Sequence, residues 1–131
     1  MKKLFAMLSI VALTLGLVAC SNNNSPEAVV DAYMAAVKKG DVKTALDLMY
    51  FEKEMSQEDR AELEQMFNDK LKMVNDNYGG IASYEIGEAT MDEDGNHATV
   101  PCKTFYANGE DEDGKQKTVN VNDKWYIDSG K

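Results

Sequence analysis

Positive charge is what this chain most lacks. Lysine and arginine number 14 against 23 aspartates and glutamates, for a formal net charge of −9. A surface of that sign is repelled by phosphate backbones and anionic headgroups, which argues against any nucleic-acid partner. Histidine occurs once, at His97, and cysteine twice, at Cys20 and Cys102. That is too little for a zinc site of ordinary type, so no metal and no cofactor is expected. Neither a glycine-rich phosphate loop nor a nucleophile elbow occurs. Asp92–Gly95 and Asp111–Gly114 are acidic, but both lack the ligand spacing and closing glutamate of a calcium loop. Long apolar runs are missing as well. The one candidate, Leu4 to Val18, is interrupted by Ser9, Thr14 and Gly16 and falls short of the roughly 20 residues that span a bilayer.

What is present begins with that run. Lys2 and Lys3 precede it, and Leu17-Val18-Ala19-Cys20 closes it. A charged start, an apolar middle and a small residue before the end is the layout of a cleaved secretory signal. The closing tetrad resembles the lipobox of bacterial lipoproteins. That resemblance implies that the Cys20 thiol receives a diacylglyceryl group, that the bond before it is cut, and that the new amino terminus is acylated. The expected division is a signal peptide over 1–19, a lipidated tether over 20–24 and one folded domain over 25–131. Loss of Lys2 and Lys3 with the signal takes the net charge from −9 to −11. The acyl chains then hold the protein to the membrane, each buried methylene contributing about 0.8 kcal/mol. With Cys20 lipidated, Cys102 has no disulfide partner and reads as a small hydrophobe on a strand. Ser21, where aspartate would favour inner-membrane retention, implies by the same resemblance the periplasmic side of the outer membrane in a cell with two membranes.

The polar tether gives way to helix punctuation. Ser25 caps free amides, Pro26 suits the first helical position, and Glu27 favours the positive end of the dipole. Val30, Tyr33, Met34 and Val37 recur at helical spacing until Lys38-Lys39-Gly40 ends the helix, predicted over 26–39. Asp41 caps a second helix, predicted over 41–51, with Val42, Ala45, Leu46 and Met49 on its apolar face. Ser56 starts a third, over 57–77, whose stripe is Leu63, Phe67, Leu71, Val74 and Tyr78. Paired glycines at 79 and 80 stop it. From Ile81 the period becomes two. Strands are expected over Ile81–Ile86, Ala98–Tyr106, Lys115–Val121 and Lys124–Ile127, with a very acidic loop from Asn108 to Gly114. Pro101 cannot donate a ladder hydrogen bond, so it argues for an edge or a bulge. Val119 and Val121 are read as inward partners of Trp125 and Ile127. Helices first and a meander of antiparallel strands after is an α+β order.

Ser25-Pro26-Glu27-Ala28-Val29-Val30, Lys39-Gly40-Asp41 and Ala45-Leu46 resemble the opening of the nuclear transport factor 2-like superfamily. The small lipoproteins of its lumazine-binding-like group are the most similar. Asp123-Lys124-Trp125-Tyr126-Ile127 is similar to the family's last strand, except that Asp123 stands where a turn glycine is usual. The resemblance implies N-terminal helices packed on a curved sheet as a cone, often with a pocket at its open end. Tyr33, Val37, Tyr84, Tyr106 and Trp125 are then the candidate pocket lining. The cone hosts many functions, so it does not choose among them. Two readings stand. The first is a non-enzymatic module that binds a small apolar ligand, a peptide or another envelope protein. The second is a small isomerase, dehydratase or hydrolase using a carboxylate such as Asp31 with a tyrosine; no catalytic residue is assigned. Met55 and Met73 fall off the helical stripes, which leaves two readings open, an exposed apolar groove or scattered surface residues. The charge favours a monomer or a weak dimer formed through the outer face of the sheet.

Overall fold

The computed structural model describes residues 23–129, so Cys20 lies outside the described residues. Three helices and six strands appear among them: α1 Pro26–Lys39, α2 Val42–Asp47, β1 Met49–Tyr50, α3 Gln57–Tyr78, β2 Ile81–Ile86, β3 Thr90–Met91, β4 His97–Tyr106, β5 Asp111–Val121 and β6 Lys124–Asp128. None of these helices is long and apolar enough to cross a membrane.

Helix punctuation works as the residue types dictate. The Ser25 hydroxyl accepts from Ala28 N–H at 3.0 Å, and the amides of Gly40 and Asp41 close α1 on Val37 and Ala36 carbonyls. Gly40 takes φ +78°, a left-handed cap that costs glycine nothing. Asp41 caps α2 by accepting Thr44 N–H at 3.2 Å and the Thr44 hydroxyl at 2.7 Å, and those bonds hold its carboxyl below the usual range. Ser56 caps α3 through Asp59 N–H.

The sheet runs β1-β6-β5-β4-β2, with β3 also on β4. It is curled and mixed rather than purely antiparallel, because β1 lies parallel to β6. That strand corrects the second helix predicted over 41–51. The helix stops at Asp47, and Met49 and Tyr50 instead pair with Ile127 and Asp128. A two-residue strand whose partner lies at the far end of the chain leaves no local period to read.

Three further expectations change. The run read as an acidic loop is largely strand: Asp111, Glu112 and Asp113 pair with Phe105, Thr104 and Lys103. Lys103 faces Asp113 on one side and Glu85 on the other, so opposite charges share one rung and the acids are tolerated. Pro101 sits on β4, an inner strand and not an edge. It lies where the flank passes from β2 to β3, and its carbonyl accepts Gly87 N–H at 2.8 Å. The missing donor therefore falls at the break between two partners. A side chain at Gly87 would meet the Pro101 ring at 3.1 Å, which is why glycine stands there.

The third change concerns β5. Thr118, not Val119, shares the inner face with Trp125 and Ile127, since Asn120 pairs with Trp125 and Thr118 with Ile127. Thr118 is fully buried, and its hydroxyl donates to Ala98 O at 2.9 Å. Apolar character pointed to the wrong face because a satisfied hydroxyl can be buried at little cost. The hairpin that sets this register is a two-residue turn with Asn122 and Asp123 both at positive φ, +56° and +70°. Asn and Asp tolerate that conformation, so a turn glycine is not needed. The core gathers Val29 and Val30 of α1, Leu48, Ala98 and Val100 of β4, and Trp125 and Ile127 of β6.

Candidate functional site

The sequence-predicted lining residues do not converge on one cavity. Tyr33 and Trp125 belong to or pack against the core cluster of α1 and the sheet. Val37 lies apart, beside Leu71, Val74 and Ile81 around a cleft of about 100 Å³ between α1 and α3. Tyr84 donates to the backbone carbonyl of Asp31 at 3.4 Å, while Tyr106 donates to Glu112 at 2.8 Å and stacks on Tyr78 at 4.5 Å.

These phenols are hydrogen-bond donors and packing groups. Burial pushes Tyr33, Tyr84 and Tyr106 each up to about 12, with Asp31 adding to the shift at Tyr84 and Glu112 at Tyr106. All three stay protonated over the ordinary pH range. Asp31 is exposed, and Thr118 is the one buried polar side chain among the described residues. Burial likewise raises the Cys102 thiol, which weakens it as a nucleophile.

Asp92, Asp94 and His97 lie close enough together to share an ion. Asp94 is already committed: its carboxylate accepts the amides of Asn96 and His97 and meets His97 Nδ1 at 2.6 Å. The group is an exposed turn fastened by its own side chains.

A larger cavity lies elsewhere, between β1, the 51–56 connection and the first half of α3. It measures about 600 Å³, within the range of ligand sites. Met49, Phe51, Met55, Leu63 and Met66 form its apolar wall, and Glu52, Asp59 and Glu62 stand on its rim with Lys53 and Ser129. The local fold makes this opening. α2 ends early, so Met49 and Phe51 extend along the sheet edge instead of packing as a helix face. Ser56 then restarts a helix whose first turns stand off from that edge. Arg60 props α3 against α2 through Asp47 at 2.7 Å and the Lys43 carbonyl at 3.3 Å. Met66 is 58% exposed, unusual for so large an apolar side chain.

Of these groove residues only Met55 was singled out by sequence as a candidate. Met49 and Leu63 fit helical stripes. The available signal was the apolar surplus Met49-Tyr50-Phe51 beyond a helix too short to use it. Met73, the other off-stripe methionine, is 61% exposed and lies outside the groove.

Residues 18–128 match the family model described as a domain of unknown function, DUF4878. No curated protein matches. Among solved structures, the crystal structure of a Campylobacter jejuni protein provisionally named an NTF2-like transpeptidase superposes with a TM-score of 0.63. It is 16% identical and covers 79% of this chain and 97% of its own. A likeness at that identity carries the fold alone, and the fold is the nuclear transport factor 2-like α+β cone.

Proposed function

Because the chain belongs to the DUF4878 family, whose description names no activity, we propose from its own geometry that it is a membrane-tethered, non-enzymatic binding module. The observation that carries the reading is the groove: an apolar, methionine-rich wall under an acidic rim. No buried carboxylate lies beside a tyrosine hydroxyl among the described residues. Methionine side chains adapt to varied apolar shapes, which suits binding more than the fixed geometry of catalysis.

The tether belongs to this proposal. As in the lipoproteins whose lipobox Leu17–Cys20 resembles, Cys20 carries the lipid after removal of 1–19, and the domain faces the periplasm from the outer membrane. The Asn23 carbonyl accepts Trp125 N–H at 2.8 Å. Asn23 is three residue steps beyond Cys20, at most about 11 Å of extended chain, so the start of β6 lies close to the bilayer. The same proposal places the chain with the lumazine-binding-like lipoproteins, on the helix punctuation of Ser25–Val30 and Lys39–Asp41. The domain works as a monomer or as a weak dimer through the outer sheet face, where Phe105 and Tyr126 supply aromatic surface against a repelling charge.

The competing reading is an enzyme, and the neighbour's name, transpeptidase, is its support. Such chemistry needs an activated nucleophile. Cys102 is the one thiol among the described residues, and its pKa moves in the unreactive direction.

Two measurements test the proposal. Mass spectrometry of the mature N-terminus should find diacylglyceryl on Cys20; a free thiol there ends the tethering claim. Methionine methyl spectra with indole as a neutral apolar probe should shift Met49, Met55 and Met66 and leave Met91, exposed on β3, in place. Equal shifts at all methionines would remove the groove as a site.

A further inference from the structure

The groove has one wall that is a sheet edge. β1 is the terminal strand in the order β1-β6-β5-β4-β2, and β6 occupies one side of it. Leu48 O, just before the strand, accepts Ile127 N–H at 2.7 Å, which fixes the β6 side of the backbone. Along an extended chain, successive residues aim their amides and carbonyls at opposite edges. Met49 and Phe51 therefore present backbone donors and acceptors away from β6. Their side chains share the inner face with Ile127, Met49 being its register partner, and both line the groove. Backbone pairing groups and an apolar wall thus open onto the same space.

The rim adds a charge preference. Glu52, Asp59 and Glu62 face that space against the single cation Lys53, on a chain of net charge −9. Resting on the groove being the binding site, we propose that its occupant is an extended peptide segment that adds to the free edge of β1. Alternate apolar side chains enter against Leu63 and Met66, and lysine or arginine at the ends of the segment, beyond the paired stretch, meet the rim carboxylates. Main-chain bonds supply affinity in this mode, and the pocket for alternate side chains supplies selectivity. A strand of two residues is too short to hold a partner by its backbone alone, so the apolar wall is a necessary part of the site.

The test uses the full chain in lipid nanodiscs and a pool of six-residue peptides with Lys or Arg at both ends and Val, Ile, Leu or Phe alternating with Ser or Thr between them. The expected result is saturable binding that moves the Met49, Met55 and Met66 methyls together with the Met49 and Phe51 amides. N-methylating alternate peptide bonds should weaken it about tenfold by removing the edge pairing. Replacing Glu52, Asp59 and Glu62 together by glutamine should weaken it by a similar factor and flatten its salt dependence. A Glu- or Asp-containing pool that binds equally well overturns the charge assignment. N-methylated peptides that bind equally well overturn the edge pairing. Failure of the pool while indole still shifts the three methyls overturns the peptide occupant and leaves the groove reading intact. Failure of both removes the groove itself. Shifts of the same methyls that grow with protein concentration, without peptide, would assign the groove to a second copy and also overturn the proposal.

Discussion

α1 and α3 lie on the same sheet and were read from sequence with equal ease, yet they are held in different ways. α1 has 14 residues and buries Pro26, Val29, Val30 and Ala36. α3 has 22 residues and buries none. Its stripe Leu63, Phe67, Leu71, Val74 and Tyr78 does face the body of the protein, but every member stays half-exposed. What attaches it is mostly peripheral: Tyr33 against Phe67 edge-on at 6.4 Å, Tyr78 stacked on Tyr106 with its carbonyl accepting Asn108 N–H at 2.9 Å, and Arg60 reaching Asp47 and the Lys43 carbonyl. A helix's length and period announce that it has an inward face, while the depth of its burial depends on how closely the sheet lies beneath it. α1 is structure; α3 is a cover, and the groove opens under its first half. Segments held by few buried contacts are where opening motions and binding concentrate.

The largest effect should separate these two regions directly. Trp125→Ala removes a ring that is 7% exposed within the α1 core and should cost on the order of 3–5 kcal/mol. Phe67→Ala removes a half-exposed ring on α3 and should cost about 1–2 kcal/mol. Urea unfolding of both variants measures the difference. Equal losses would mean that α3 is as firmly packed as α1, and the contrast would fail.

That asymmetry was partly legible. Ser25, Pro26, Gly40, Ser56 and Gly79 mark helix ends through local chemistry, and the local chemistry decided them. The Asn122-Asp123 turn was legible for the same reason. The face of β5 was not, since Thr118 and Val119 exchange roles when the register moves by one residue. Nothing near Thr118 in sequence announces the Ala98 carbonyl that satisfies its hydroxyl. The groove was hardest to see. Its wall joins Met49 and Phe51 to Leu63 and Met66 only because β1 pairs with a strand at the other end of the chain.

Thr118→Val tests that buried face. The hydroxyl's bond to Ala98 O would be lost while shape is kept, so stability should fall by about 1 kcal/mol. Val119→Thr, on the opposite face, supplies the comparison. If Val119→Thr proved the costlier of the two, the inner face of β5 would be the one the hydrophobic pattern first indicated.

A smaller effect is expected where the two regions are tied. Arg60 bridges Asp47 at 2.7 Å and approaches Glu64 at 3.6 Å, with its side chain 35% exposed. Solvent screens such a pair, so Arg60→Ala should cost only about 0.5 kcal/mol globally. Its local consequence should be clearer. Hydrogen exchange should quicken in α3 from Gln57 to Met66 while α1 stays protected. Uniform quickening across both helices would show that α3 does not open independently.

The smallest effect should come from the turn before β4, and its sign follows from the His97–Asp94 pair. The hydrogen bond to Asp94 raises the His97 pKa above its ordinary value of 6.5. A raised folded-state pKa adds stability that is fully present below the unfolded histidine's pKa and is lost as pH rises through the folded one. Asp94 is shifted the other way, chiefly by its backbone bond from Asn96 and then by His97. Its contribution is present above the unfolded carboxylate's pKa and is lost as pH falls through its folded value. Stability should therefore pass through a shallow maximum between the two transitions. Both side chains are well exposed, at 43% and 49%, so solvent keeps the effect small. Asp94→Asn should flatten the alkaline limb by removing the charge that holds the histidine proton. Thermal unfolding from about pH 4 to pH 9 checks this. An alkaline slope as steep in Asp94→Asn as in the parent would mean that the pair does not couple to folding. The turn would then be fastened by the Asn96 and His97 amides on the Asp94 carboxylate, whose place asparagine can take.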